Sequence, residues 1–139
     1  MLLPKKVKYR KWQTLRKNPK KIGVASRGTT VAFGSFGLKS LSYFRIRSNQ
    51  LEASRKVLSR ALGKTGKVWI RIFPDMPFTA KPAEVKLGKG KGDPQGYCVP
   101  VLPGRIIFEV DGATEEVARE ALRKAGTKLP LKTKIVSRA

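Results

Sequence analysis

Short runs in which apolar and polar residues alternate predict most of the strands of this chain. The clearest run is residues 67–73, in which Val68, Ile70 and Ile72 share one face and Trp69, Arg71 and Phe73 share the other. Runs at 29–33 and 38–46 flank a Gly-Ser-Phe-Gly sequence and predict a hairpin. Further strands are predicted at 97–102, 105–110 and 132–137, with Pro103-Gly104 as the turn of a second hairpin between the first two.

Two segments have the apolar spacing of helices. The first is predicted to start at Asn49, an N-cap with Glu52 as its capping-box partner, and to stop at Gly63. The second follows Thr114 as N-cap and stops at Gly126. The predicted buried stripes are Leu51, Leu58 and Leu62 in the first helix, and Val117, Ala118, Ala121, Leu122 and Ala125 in the second. The predicted ion pairs of the second helix are Glu115 with Arg119 and Glu120 with Lys124.

These elements predict an α+β fold with one mixed or antiparallel sheet and two helices. A chain of 139 residues with 40% hydrophobic content can bury one real core. We expect a single domain over residues 29–139, with a protruding basic loop at 74–96. Residues 1–28 are expected to form a basic arm without an independent fold, because they are too polar and too charged to fold alone.

The charge of the chain indicates a polyanionic partner. Lysine and arginine number 31 against 9 acidic residues, which gives a formal net charge of +22. Residues 1–51 contain thirteen of the basic residues and no acidic one. No apolar run is long enough to span a membrane, and no secretory signal is evident. Nucleic acid is therefore the expected partner.

Two basic regions are candidates for contacts with RNA. The arm would become ordered on its partner, with Tyr9 and Trp12 as possible stacking groups; the alternative is a disordered basic tail. Arginines on the first helix could extend this surface or simply face solvent. The candidate RNA-binding residues are Lys5, Lys6, Lys8, Tyr9, Arg10, Lys11, Arg16, Lys17, Arg45, Arg47, Arg55 and Arg60.

The second region is the loop, in which glycine alternates with lysine from Gly88 to Gly92. Glycine lets the backbone approach a phosphate closely, and the lysines add mobile positive charge. The alternative is a flexible, solvated hairpin tip. The loop matches neither the Walker pattern nor the dinucleotide-binding pattern, because Asp93, Pro94 and a strand follow it instead of a helix.

Catalytic and metal chemistry have few candidate residues. The chain has no histidine, and its single cysteine, Cys98, lies in an apolar run where it is expected to be buried. One cysteine can form neither an intrachain disulfide nor a structural zinc site. We therefore expect no cofactor, no metal and no enzymatic activity.

Several motifs together resemble one known family, the bacterial-type large-subunit ribosomal protein called L-sixteen. The motifs span nearly the whole chain and are Pro4 to Lys11, Phe33-Gly34-Ser35-Phe36-Gly37-Leu38, Val68 to Asp75, Lys81-Pro82-Ala83-Glu84, Gly88 to Gly92 and Lys128 to Thr133. The resemblance implies a hammerhead-like α+β fold on large-subunit ribosomal RNA near the central protuberance. It also implies a loop directed at the aminoacyl-site tRNA beside the peptidyl transferase centre.

The resemblance carries the family's basic arm to Lys5 through Lys11 and its tRNA-side loop to Lys81, Lys86, Gly88, Lys89, Gly90, Lys91 and Gly92. Two features depart from the family: Lys86 stands where arginine is common, and residues 12–24 are longer than usual. The implied partners are ribosomal RNA, aminoacyl-site and possibly peptidyl-site tRNA, and neighbouring ribosomal proteins, without homo-oligomers. The implied location is the large subunit of a cytoplasmic ribosome, with an organellar ribosome left open. The alternative function is a free-standing RNA chaperone or nucleic-acid architectural protein.

Overall fold

The computed structural model describes residues 1–14, 21–83, 88 and 90–138. These residues form an α+β fold with two helices and seven strands. In chain order the elements are β1 (Phe36–Ser40), β2 (Phe44–Arg47), α1 (Ser48–Leu62), β3 (Lys67–Ile70), β4 (Met76–Ala80), β5 (Asp93–Val101), β6 (Ile106–Asp111), α2 (Glu115–Gly126) and β7 (Thr133–Ser137).

The strands form two antiparallel sheets. Sheet A has the order β3-β6-β1-β7, and sheet B has the order β2-β5-β4. Both predicted hairpins are therefore wrong. The first fails because residues 29–33 form no strand and the run at 38–46 is divided between β1 and β2, which lie in different sheets. The second fails because β5 and β6 lie in different sheets. The turn at Pro103-Gly104 exists, but it carries the chain from one sheet to the other. The chain changes sheets after β1 and again after β5, and these two connections meet at the buried Ser40. The Ser40 hydroxyl donates to Leu102 O at 2.6 Å, and its carbonyl accepts from Gly104 N at 2.8 Å.

The strand predicted at residues 29–33 is absent from the structure. The backbone N–H groups of Ala32, Phe33 and Gly34 donate to the side chain of Glu109 instead of to a neighbouring strand. The alternating pattern of this segment arises because it packs flat against the outer face of sheet A. At that face Val31 lies against Gly37, where a Cβ atom would come within 2.9 Å of it.

Both helices pack against the inner face of sheet A and form the core with it. The predicted stripe of α1 is confirmed, since Leu51, Leu58 and Leu62 are buried. Its predicted cap is wrong, because the N-cap is Arg47 and the side chain of Gln50 accepts from Arg47 N at 2.9 Å. Gly63 ends α1 as predicted.

Helix α2 follows its prediction except in one ion pair: Glu115 pairs with Arg119 as predicted, but Glu120 pairs with Arg123 and not with Lys124. The hydroxyl of Thr114 caps it by accepting from Val117 N at 3.4 Å, and four of the five predicted stripe residues are buried. Val117 is the exception, with 44% of its surface exposed. Gly126 is the last helical residue, and its lack of a side chain makes room for Thr133, whose hydroxyl would lie 2.6 Å from a Cβ atom.

Candidate nucleic-acid interface

The basic loop projects from a paired stem. Strands β4 and β5 pair from Met76 opposite Cys98 to Ala80 opposite Asp93, so the loop itself comprises residues 81–92. The loop expected at 74–96 was too long, because part of that range belongs to these strands. Pro77 and Pro94 lie within them, and proline is unusual enough in strands to mask their pattern.

Three loop glycines have two different roles. Gly88 and Gly90 have φ angles of 108° and 94°, and a Cβ atom at either would meet nothing within 4 Å. Their backbone is therefore open for close approach by a ligand, in a conformation that other residues rarely adopt. Gly92 serves the stem instead, since a Cβ atom there would lie 2.7 Å from the carbonyl oxygen of Ala80.

The described lysines of the loop are both held by backbone carbonyls. Lys81 Nζ donates to Gly88 O at 2.5 Å, across the base of the loop. Lys91 Nζ donates to the carbonyl of Trp12, so the end of the described arm adjoins the loop. The predicted residues Lys86 and Lys89 lie outside the described residues.

The arm presents its predicted contact residues to solvent. All six of the predicted residues between 5 and 11 are exposed, and Tyr9 exposes 61% of its surface. Lys8 Nζ lies 5.6 Å from the centre of the Tyr9 ring. The predicted residues Arg16 and Lys17 lie outside the described part of the chain.

The arm is attached to the body at both ends. Leu2 packs against the hydrophobic core. Ala25 N donates to Pro103 O at 2.8 Å, and Gly28 O accepts from Ile106 N at 2.8 Å. The exposed cations of the arm are thus carried between two anchor points, and the second anchor is the turn where the chain changes sheets.

Strand β2 adds two arginines to the basic surface near the stem. Arg45 is half-buried opposite Pro100, and Arg47 is exposed opposite Cys98. The guanidinium of Arg47 lies 4.7 Å from the centre of the Phe78 ring, which occupies the space left by Gly96. Cys98 is buried as predicted, and this burial raises the pKa of its thiol although Arg45 and Arg47 oppose the rise.

The two predicted arginines of α1 differ in environment. Arg55 is half-buried and forms an ion pair with Glu52, whose pKa is lowered to about 2 chiefly by this hydrogen bond. Arg60 is exposed in the last turn of the helix and forms no ion pair with any described carboxylate. At ~1.5 Å per residue, Arg60 lies roughly 20 Å along the helix from Arg47, so these two are not brought together.

A buried carboxylate organises the outer face of sheet A. Glu109 is fully buried and forms an ion pair with Arg71. Its Oε1 accepts from the backbone N–H groups of Ala32 (2.8 Å), Phe33 (2.8 Å) and Gly34 (3.1 Å). Burial alone would raise the pKa of Glu109, but these hydrogen bonds outweigh it and lower the pKa.

Above this carboxylate lies a cluster that the sequence did not identify as functional. The Phe33 ring stacks on Trp69, with ring centroids 6.3 Å apart and planes at 20°. The Arg71 guanidinium lies 4.9 Å from the centre of the Phe33 ring. Phe33 lies in the segment where a strand was predicted, and 55% of its surface is exposed. The alternation of Lys67, Trp69 and Arg71 on one face was the available signal, because it places an aromatic ring between two cations.

Other chemistry finds little support in the described residues. No group of three histidine, cysteine, aspartate or glutamate side chains among them could hold a metal ion. None of their helices is long and apolar enough to cross a membrane.

Comparison with known proteins gives a consistent result over the whole chain. Residues 4–136 match the family model described as ribosomal protein L16p/L10e. A protein of Halorhodospira halophila named "Large ribosomal subunit protein uL16" is 51% identical over 138 residues, covering 99% of this chain and 98% of its own length. Proteins with the same name from Polaromonas naphthalenivorans and Parabacteroides distasonis are each 52% identical over 99% of this chain, and the match covers 97% and 93% of their lengths.

Proposed function

Because the chain belongs to the ribosomal protein L16p/L10e family, we propose that it binds large-subunit ribosomal RNA and helps to position aminoacyl-site tRNA. The family makes it a structural constituent of the large ribosomal subunit in the cytoplasm, and not an enzyme. Its contribution to translation is therefore binding and positioning. Its partners are large-subunit ribosomal RNA and neighbouring ribosomal proteins, and it acts as a single copy.

One observation supports this function best: two basic segments meet at one end of the molecule. Lys91, at the base of the loop, donates to the backbone of Trp12 in the arm. None of the described lysines and arginines of either segment forms an ion pair with a described carboxylate. Positive charge that no described carboxylate neutralises is available to phosphates, whose neutralisation dominates binding to nucleic acid.

The arm and β2 are assigned to ribosomal RNA. The exposed side chains from Lys5 to Lys11 give a set of ammonium and guanidinium groups, with Tyr9 available to stack on an unpaired base. Arg45 and Arg47 extend this surface onto the body. Arg55 contributes less, because its charge is already engaged by Glu52.

The loop is assigned to the aminoacyl-site tRNA. From its stem at Ala80 and Asp93 it has about six residues on each side, which at ~3.3 Å each reach on the order of 20 Å. It can thus touch RNA that the folded body cannot. The open backbone at Gly88 and Gly90 allows close approach to phosphates, while lysines supply the charge.

Reconstitution of large subunits tests the two assignments separately. Subunits lacking this protein would be rebuilt with the wild-type chain or with Lys86, Lys89 and Lys91 all replaced by alanine. The matched control replaces Lys124, Lys128 and Lys132, which removes equal charge from an exposed surface near α2. We expect full incorporation of both variants and weaker aminoacyl-site tRNA binding only for the loop variant. Unchanged tRNA binding at full incorporation would leave the ribosomal role and refute the tRNA role.

The alternative, a free-standing RNA chaperone, predicts a different distribution in the cell. A ribosomal protein should sediment with the large subunit and be depleted from free pools. A chaperone should remain largely free at physiological salt. Sedimentation of a cell lysate, with the protein quantified across the gradient, separates the two.

A further inference from the structure

We propose that Phe33, Trp69 and Arg71, here called the aromatic platform, form a site that stacks an unpaired nucleobase of RNA. The site rests on the proposed function in that its partner is RNA. It is separate from the arm and the loop, and none of its three residues was among the predicted contacts.

The three side chains form a contact cluster in which Phe33 stays more than half exposed. Trp69 and Arg71 are two residues apart along the β3 direction, and their side chains therefore leave the same face of the sheet. Both contact Phe33, at 6.3 Å between ring centroids and at 4.9 Å from guanidinium to centroid. Despite these two contacts, 55% of the surface of Phe33 remains exposed and available to a ligand.

The platform is rigid although it is exposed. The backbone of Phe33 and of the residues on either side of it is fixed by three hydrogen bonds to one buried carboxylate. The same carboxylate forms an ion pair with Arg71. A ring held in this way loses little conformational entropy when a ligand stacks on it, which favours binding.

The surroundings favour a nucleotide over an apolar protein segment. Two exposed cations lie nearby. Lys67 shares the outer face of β3, and the backbone N–H of Arg138 donates to the carbonyl oxygen of Ser35 at 2.8 Å. Of the described carboxylates near the platform, Glu109 is buried and paired with Arg71, and Asp111 already accepts hydrogen bonds from Ser35 and Gly112. Flat rings bordered by arginine and lysine match a base with its flanking phosphates.

An adjacent cleft has room for the rest of a nucleotide. Its volume is about 870 Å³, and its lining includes Trp69 and Arg71 together with Arg27, Phe73 and Arg105, against one carboxylate, that of Asp75. The cleft thus continues from the edge of the platform between further cationic and aromatic side chains. A base on Phe33 could be followed by a phosphate within reach of Arg27.

The test compares a single-stranded octamer of adenylate with an abasic ribose-phosphate octamer of equal length. In wild type the octamer with bases should bind more tightly. Phe33→Leu should weaken binding of that octamer about tenfold, in the range measured for loss of one stacked base, and should leave the abasic octamer unaffected. Phe33→Tyr should restore the affinity. Phe44→Leu is the matched control, because Phe44 is 49% exposed but stacks on no described ring or guanidinium.

A second measurement does not depend on altering Phe33. In a Trp12→Phe background Trp69 is the only tryptophan, so its fluorescence reports on the platform. The adenylate octamer should change this emission, and the abasic octamer should not. Identical responses to both octamers would overturn the site.

The outcomes separate this site from the proposed function. If wild type binds neither octamer at low salt, RNA binding itself fails. If wild type binds both and Phe33→Leu binds both equally well, or loses both equally, then RNA binding stands and base stacking is refuted. If Phe33→Leu leaves octamer binding unchanged but releases a neighbouring protein from the reconstituted particle, the platform is a protein contact and not an RNA site.

Discussion

Helix α2 differs from the arm and the loop in whether its charged side chains form ion pairs within the fold. In α2, Glu115 pairs with Arg119 at 2.9 Å and Glu120 pairs with Arg123 at 2.6 Å. Glu115 and Glu116 lie in its first turn and Arg123 and Lys124 in its last, where they complement the helix dipole. In the arm and the loop, none of the described lysines and arginines forms an ion pair with a described carboxylate, and all of them except the half-buried Lys81 are exposed.

This difference shows which charges the fold explains and which it does not. The charges of α2 are accounted for within one helix, so they require no partner. The charges of the arm and loop only add repulsion to the free protein, and a polyanion would remove that repulsion. Charge that is unpaired in the fold is therefore the better guide to the binding surface than charge density alone.

The largest expected effect is that of salt concentration on the affinity for RNA. If about six to ten phosphates are engaged, binding to a large-subunit ribosomal RNA fragment should weaken by roughly 10³–10⁵ between 50 and 200 mM salt, with a slope of log K against log salt of about −4 to −9. Replacing Lys5, Lys6 and Lys8 with alanine should make the slope shallower by about 2 to 3. A wild-type slope shallower than about −2 would contradict binding of the arm and loop to the RNA backbone.

The next largest effect is expected at Glu109, whose charge is buried and paired within the fold. Glu109→Ala should destabilise the fold by about 3–5 kcal/mol, because it leaves Arg71 without its partner and three backbone N–H groups without an acceptor. Urea unfolding measures the loss. Glu116→Ala, an exposed control on α2, should change stability by less than ~0.5 kcal/mol. Equal effects of the two changes would show that Glu109 does not hold residues 32–34 on the sheet.

The ion pair of Glu52 is less buried than that of Glu109 and more buried than those of α2. It should make the free energy of unfolding depend on pH. The pKa of Glu52 is lowered from 4.5 to about 2, chiefly by the hydrogen bond from Arg55. Since the pKa is lower in the folded state, the stabilisation is complete above pH 4.5 and disappears as pH falls toward 2. The partner Arg55 is 37% exposed, so solvent screening limits the contribution to about 1 kcal/mol. Glu52→Gln should remove this part of the pH dependence of urea unfolding; an unchanged profile would assign it to other carboxylates.

Local sequence patterns predicted the elements better than their pairing. Helix α2 could be read from Thr114 and its apolar stripe because caps and helical spacing act within a few residues. The hairpins could not, since strand partners depend on contacts far apart in the chain, such as Ser40 with Leu102 and Gly104. At residues 32–34, the three backbone N–H groups donate to Glu109, about 75 residues away, and not to a neighbouring strand. No local sequence pattern predicts such a distant acceptor.

The candidate site divides in the same way. The arm cations and the loop glycines were predictable because exposure and backbone freedom follow from composition. The engagement of Arg55 by Glu52, and the exposure of Phe33 above Trp69, depend on how side chains pack in three dimensions. Sequence reasoning therefore found the unpaired charges but overlooked an aromatic group whose position is set by a distant carboxylate.

The smallest expected effect completes the comparison, because α2 should matter little for either stability or RNA binding. Replacing Glu115 and Glu120 with glutamine removes two exposed ion pairs, and because solvent screens such pairs we expect almost no change in the free energy of unfolding. RNA affinity should change less than about twofold near 0.15 M salt, since charges beyond roughly 8 Å from phosphate are largely screened. Filter binding and urea unfolding of this variant measure both quantities. A tenfold gain in RNA affinity would mean that the two glutamates repel nearby phosphates, and α2 would then lie at the RNA surface and not away from it.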